Sequence, residues 1–151
     1  EFLLEQAVRI IRSKTAKEHE QMEKAGKKCR DISFRSQKNQ AVLCVHSKEA
    51  REYARILEED EQVKSFEVGY LLDQNRYTYV NPLDIRKDYF ATQWTTDFVL
   101  HYADGRIGIR ELIGKGGLTK RANVEKLEFS RRYWSSTEAA DWKAVVMEKG
   151  E

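Results

Sequence analysis

Cysteine, histidine and proline are all scarce in this chain, and each scarcity closes off a class of protein. Two cysteines in 151 residues, Cys29 and Cys44, do not make a disulfide framework, and they lack the CxxC spacing of a zinc or redox motif. Cys44-Val45-His46 therefore reads as ordinary strand, because the remaining ligands of a metal site are missing. His19 and His101 stand alone and support no catalytic triad. Charge of one sign is also in short supply: 27 Lys and Arg against 25 Asp and Glu give a formal +2. Bulk electrostatics neither demands nor excludes nucleic acid, and any phosphate-binding surface must come from local clustering. No apolar run approaches a membrane span, and Phe2 to Ile11 is too short and too interrupted by charge to be a secretion signal. The expectation is a soluble cytoplasmic protein with no membrane partner, long enough at 151 residues for one domain with a real core.

What is present is an alternation of helical and extended patterns. Leu4, Ala7, Val8 and Ile11 recur at helical spacing, with a weaker continuation through Thr15, His19 and Met22 towards Gly26. Ile32–Arg35 and Ala41–His46 form a candidate hairpin. Ser47 is placed to cap a helix ending near Glu59, whose apolar stripe is Ala50, Tyr53, Ala54 and Leu57. Val63–Leu72 reads as a strand. Asn75–Asp88 holds the only proline, Pro82, and reads as an irregular loop. Its Arg76, Arg86, Lys87, Tyr77 and Tyr79, with Tyr89 just beyond, suit either nucleic-acid contact or a solvated loop with packed tyrosines. Gly114-Lys115-Gly116-Gly117 is a flexible link without the P-loop pattern. A helix from about Leu118 to Trp134 should bury Val124, Leu127 and Trp134 and turn Lys120, Arg121, Lys126, Arg131 and Arg132 mostly outward. Trp142–Met147 closes as a strand. This order predicts an α/β domain around a mixed central sheet flanked by helices.

The most informative stretch is Trp94–Ile113, WTTDFVLHYADGRIGIRELI, a β-hairpin reversing at Asp104-Gly105. Alternation along its second strand puts Glu111 with Ile107, Ile109 and Ile113 on the apolar side. A buried carboxylate costs several kcal/mol, in rough terms, unless it is compensated, so Glu111 calls for a partner. Asp97 is the candidate, and register decides. A two-residue turn pairs Phe98 with Glu111 and sends Asp97 to the other face; a three-residue loop or bulge pairs Val99 with Glu111 and brings Asp97 to the same side. Two carboxylates on adjacent strand ends cradle a divalent cation that activates water and stabilises a phosphate oxyanion. The plain alternative is a surface Asp and a salt-bridged Glu.

Thr95-Thr96-Asp97-Phe98, Val124-Glu125-Lys126-Leu127-Glu128-Phe129-Ser130-Arg131-Arg132-Tyr133-Trp134 and Asp141-Trp142-Lys143-Ala144-Val145-Val146 together resemble the N-terminal nuclease domain of TnsA, the endonuclease subunit of heteromeric transposases. Ser47-Lys48-Glu49-Ala50 through Leu57-Glu58, with Val63 after it, resembles the family's first helix, so the similarity spans nearly the whole chain. The resemblance implies a restriction-endonuclease-like fold in a bacterial cytoplasmic protein, one domain over 1–151. An N-terminal helix and hairpin would occupy about 1–46 and the nuclease core about 47–147. It implies Mg²⁺- or Mn²⁺-dependent cleavage of the 5′ strand at transposon ends, with DNA and a DDE transposase as partners. Asp97 matches the family's Asp and Glu111 its acidic or amide position, which makes both metal ligands.

Two family positions differ. The helix Glu falls on Ala50, removing a ligand, and the strand Lys falls on Ile113. An apolar side chain cannot position water or stabilise developing phosphate charge, a loss of roughly 2–4 kcal/mol, or 10² to 10³ in rate. Glu49 is about 100° around its helix from position 50. Lys115, two residues past Ile113, is a candidate to reach in from the glycine-rich link. Two functions follow from these residues: an endonuclease with an altered site, or a catalytically inactive DNA-binding or transpososome-assembly module on the same fold.

Overall fold

The computed structural model describes residues 31–148, so the helix expected between Leu4 and Gly26 lies outside the described residues. The chain enters as the antiparallel hairpin β1 (Ile32–Ser36) and β2 (Ala41–Val45). Its tip covers the outer edge of β3 (Val63–Leu71): Lys38 Nζ donates to the Val63 carbonyl at 2.6 Å, and the Phe66 N–H donates to Asn39 Oδ1 at 2.9 Å. An otherwise open strand edge is thereby closed. Helix α1 (Lys48–Glu59) starts as its cap predicts, with Ser47 Oγ accepting the Ala50 N–H at 3.0 Å. It buries Tyr53, Ala54 and Leu57, the same face seen in the sequence.

Four strands make the main sheet in the order β3-β4-β5-β6, with β4 (Thr95–Tyr102), β5 (Ile107–Gly114) and β6 (Asp141–Met147). The first three are antiparallel, and β6 runs parallel to β5. That return needs a crossover, which helix α2 (Arg121–Ser135) supplies. Successive residues of β4 point to opposite faces, and two apolar clusters divide accordingly. Phe98 and Leu100 pack with α1 and the small hairpin; Val99, Ile107 and Ile109 pack with α2 and the segment between β3 and β4. The mixed α/β architecture is thus as expected. No helix among the described residues is long and apolar enough to cross a membrane.

The irregular segment consists of two 3₁₀ turns, Gln74–Tyr79 and Lys87–Ala91. Tyr77 and Tyr89 are buried, with Tyr77 edge-on to Phe129 at 4.8 Å, while Tyr79 stays 67% exposed. Arg86 is held by Glu125 of α2, Nε to Oε1 at 3.0 Å.

Helix α2 departs from expectation in its buried face. Glu125, Phe129, Ser130, Tyr133 and Trp134 are inside, whereas Val124, expected in the core, is 45% exposed and Leu127 is only half-buried. Hydrophobicity misplaces the face because two of its inward residues are polar and satisfied there, Glu125 by Arg86 and Ser130 by Glu111.

Candidate metal centre

The central hairpin closes through the three-residue loop Ala103-Asp104-Gly105. The Tyr102 N–H donates to the Arg106 carbonyl at 2.9 Å, and Gly105 takes φ +91°, a conformation glycine adopts without a Cβ clash. This is the loop length that brings Asp97 and Glu111 to one side, but the pairing sits two residues from the expected one. Val99 faces Ile109 and Phe98 faces Arg110. A shift of two preserves parity, so the face is the same and the two acids come directly opposite each other.

There the ladder between β4 and β5 ends. It stops at Phe98–Arg110, while β5 continues its pairing with β6 through Gly114–Met147. The sheet forks, and the carboxylates fill the fork. The Asp97 N–H, released from the ladder, donates to Glu111 Oε1 at 3.0 Å; the Leu112 N–H donates to Asp97 Oδ2 at 2.7 Å. Each acid thus satisfies backbone on the opposite strand.

Glu111 is held by two further bonds, one from β4 and one from α2. Thr96 Oγ1 and Ser130 Oγ both donate to its Oε2, at 3.1 and 2.5 Å. Each hydroxyl accepts an indole N–H, Thr96 from Trp134 at 2.9 Å and Ser130 from Trp142 at 2.9 Å. An oxygen that receives the indole proton directs its own proton onward, so both hydroxyls are committed to the carboxylate. Thr96, Ser130 and the two tryptophans were not singled out as site residues from the sequence. The available signal was a serine between Phe129 and Tyr133, aromatic residues on the same helix face.

Burial, and then the neighbouring Asp97, push the Glu111 carboxyl up to about 7, against the opposing hydrogen bonds from Ser130 and the Asp97 N–H. Burial likewise raises Asp97, opposed by the Leu112 N–H, then Lys126, a hydrogen bond with Glu111, and His46. Both shifts favour the protonated form, so the pair holds a proton more readily than free carboxylates do. These are the conditions in which a divalent cation displaces that proton and relieves the repulsion.

The acids open onto a hollow of about 150 Å³, also lined by Ile113, Asn123, Lys126 and Leu127. At about 30 Å³ per water it has room for an ion and several waters. Mg²⁺ is commonly held by one or two carboxylates with water and phosphate completing its shell, so the donor set fits such an ion. Among the described residues no third His, Cys, Asp or Glu gathers with the pair. Ala50 packs instead against the apolar cluster of Tyr53 and Phe98.

Lys115 does not line the hollow. β5 ends at Gly114, the Lys115 N–H extends the β5–β6 ladder to the Met147 carbonyl, and the ammonium lies 3.6 Å from Glu148 with the side chain 75% exposed. The cation that does line it, Lys126, comes from α2, where the sequence pattern placed it mostly outward.

Compared with known proteins, the chain matches no protein-family model and no curated protein.

Proposed function

We propose that this domain is a divalent-metal-dependent phosphodiesterase acting on DNA, an endonuclease of the kind its resemblance to TnsA implies, on a restriction-endonuclease-like core. One observation carries the reading: Asp97 and Glu111 meet across a fork in the sheet and face one hollow, with their backbone-side lone pairs already engaged. Those two carboxylates would hold Mg²⁺ or Mn²⁺, which when bound activates a water and neutralises charge on the phosphate. The chain's own residues do the rest. The Thr96 and Ser130 hydroxyls fix the rotamer of Glu111, and the Trp134 and Trp142 indoles fix those hydroxyls. Transposon-end DNA and a partner transposase enter as expectations of the same resemblance.

A second reading is favoured by the absence of a third acid beside the pair among the described residues and by Ala50 in the helix position: a module that keeps the fold and binds DNA without cutting it. Nicking of supercoiled plasmid and of transposon-end DNA in Mg²⁺ and Mn²⁺ separates the two. The endonuclease reading expects nicks that vanish with EDTA and with Asp97→Asn. DNA binding without nicks in either metal supports the inactive module.

A further inference from the structure

We infer that Lys126 is the phosphate-facing cation of this site, taking from helix α2 the role that Ile113 cannot fill from strand β5. This rests on the endonuclease reading above. Lys126 stands one helical turn before Ser130, so the side chain that braces Glu111 and the ammonium project from the same face of α2. Both Lys126 and Ile113 line the hollow with the two acids.

The state of the ammonium is the telling feature. All three arginines on α2 are occupied: Arg121 by Glu125 at 2.7 Å, Arg132 by Glu128 at 2.9 Å, and Arg131 also by Glu128. Lys126 has no hydrogen bond and no ion pair among the described residues; its one neighbour of note is the Trp94 ring, 5.7 Å from Nζ to centroid. It lines the same hollow as Asp97 and Glu111, yet it bonds neither. A half-buried cation kept beyond contact distance of two acids leaves a gap between charges of opposite sign. A non-bridging phosphate oxygen, bound to a metal on one side and to an ammonium on the other, suits that gap.

Hydrolysis adds water across one ester bond of the phosphodiester. The water oxygen bonds to phosphorus and its proton passes to solvent; the phosphorus–oxygen bond to the leaving group breaks, and that oxygen takes a proton from solvent. Lys126 stays charged throughout and donates hydrogen bonds to the phosphate.

The test compares the parent chain with Lys126→Met, Lys126→Gln, Lys126→Arg and the double variant Lys126→Met with Ile113→Lys. Each is checked for folding by near-ultraviolet circular dichroism, titrated with Mn²⁺ by calorimetry, and assayed for single-turnover nicking of supercoiled DNA. Lys126→Met and Lys126→Gln should bind Mn²⁺ at least as tightly as the parent, since a positive charge has left, and nick about 10²- to 10³-fold more slowly. Lys126→Arg should keep nicking within about tenfold, and Ile113→Lys should restore at least about tenfold of what Lys126→Met loses. Parental nicking rates in folded Lys126→Met or Lys126→Gln would overturn the assignment and leave the endonuclease reading standing. So would Mn²⁺ affinity falling together with nicking, which would make Lys126 a structural support. A parent that neither takes up Mn²⁺ nor nicks overturns the endonuclease reading itself, and this assignment with it.

Discussion

Asp97 and Glu111 exchange backbone for side chain: the N–H of Asp97 donates to the Glu111 carboxylate at 3.0 Å, and the Asp97 carboxylate accepts the N–H of Leu112, next to Glu111, at 2.7 Å. The strands come apart where they would otherwise pair, and the gap is spanned by acids. Two carboxyls held this way favour the protonated form in the absence of a cation, and three outcomes follow from that arrangement and its supports.

The metal-free protein should lose stability as pH rises. Glu111 is raised from 4.5 to about 7, so the folded state binds a proton that the unfolded state has released between those values. The contribution is fully present below about 4.5 and is lost as pH climbs through about 7. The shift corresponds to roughly 3–4 kcal/mol at most, at about 1.4 kcal/mol per unit. Raised Asp97 acts in the same direction. Urea unfolding in EDTA at pH 5 and pH 8 should show the decline, and Glu111→Gln should flatten it.

Metal uptake should carry the opposite pH dependence. Because an ion displaces protons from these carboxyls, apparent Mn²⁺ affinity should increase up to about pH 7 and level off above it. Calorimetry at pH 6.5 in buffers of different ionisation enthalpy should detect the released proton, which Glu111→Gln should suppress.

Removing one hydroxyl relay should hurt without dismantling the fold. Ser130→Ala leaves the Trp142 indole and Glu111 each short of a partner, and Thr96→Val does the same to Trp134. Each should cost about 1–3 kcal/mol. Both should move the Glu111 midpoint further up, since each removes a donor to the charged form. Denaturant midpoints and the pH profile of stability read the two effects.

Gly108 should tolerate no side chain. A Cβ there would meet Tyr102 Oη at 2.6 Å and Asp141 Oδ1 at 2.7 Å, two members of the buried network that holds Arg110. Gly108→Ala should destabilise by about 1–3 kcal/mol through overpacking. Gly114→Ala, whose Cβ would meet nothing within 4 Å, should change stability by less than about 0.5 kcal/mol. Thermal melts of the pair make the comparison.

Much of the scaffold was legible in the residues, and the reasons are local. Ser47 caps α1 because its hydroxyl reaches the Ala50 N–H, and the α1 stripe needs only 3.6-residue spacing to be seen. The register of the central hairpin was less legible, because Asp104-Gly105 suits both a two-residue and a three-residue turn. The three-residue loop decides between the two registers and brings Asp97 beside Glu111, although Val99 pairs with Ile109 instead of Glu111. Alternation along β5 was also incomplete: Arg110, on the face opposite Glu111, is buried too, bound to Asp141 at 2.5 Å and to Tyr102. Lys126 was hidden because a lysine on an amphipathic helix ordinarily faces solvent, and only the packing of α2 against the fork turns it inward. Lys115 looked closer in sequence, yet the end of β5 at Gly114 carries it to Glu148.

Calorimetric titration of the parent, Asp97→Asn and Glu111→Gln with Mn²⁺ at pH 7.5 tests the central claim most directly. The account predicts saturable uptake near one ion per chain by the parent, lost or weakened at least about tenfold in each variant while both remain folded. A parent that takes up no Mn²⁺, or variants that bind it as the parent does, would contradict it.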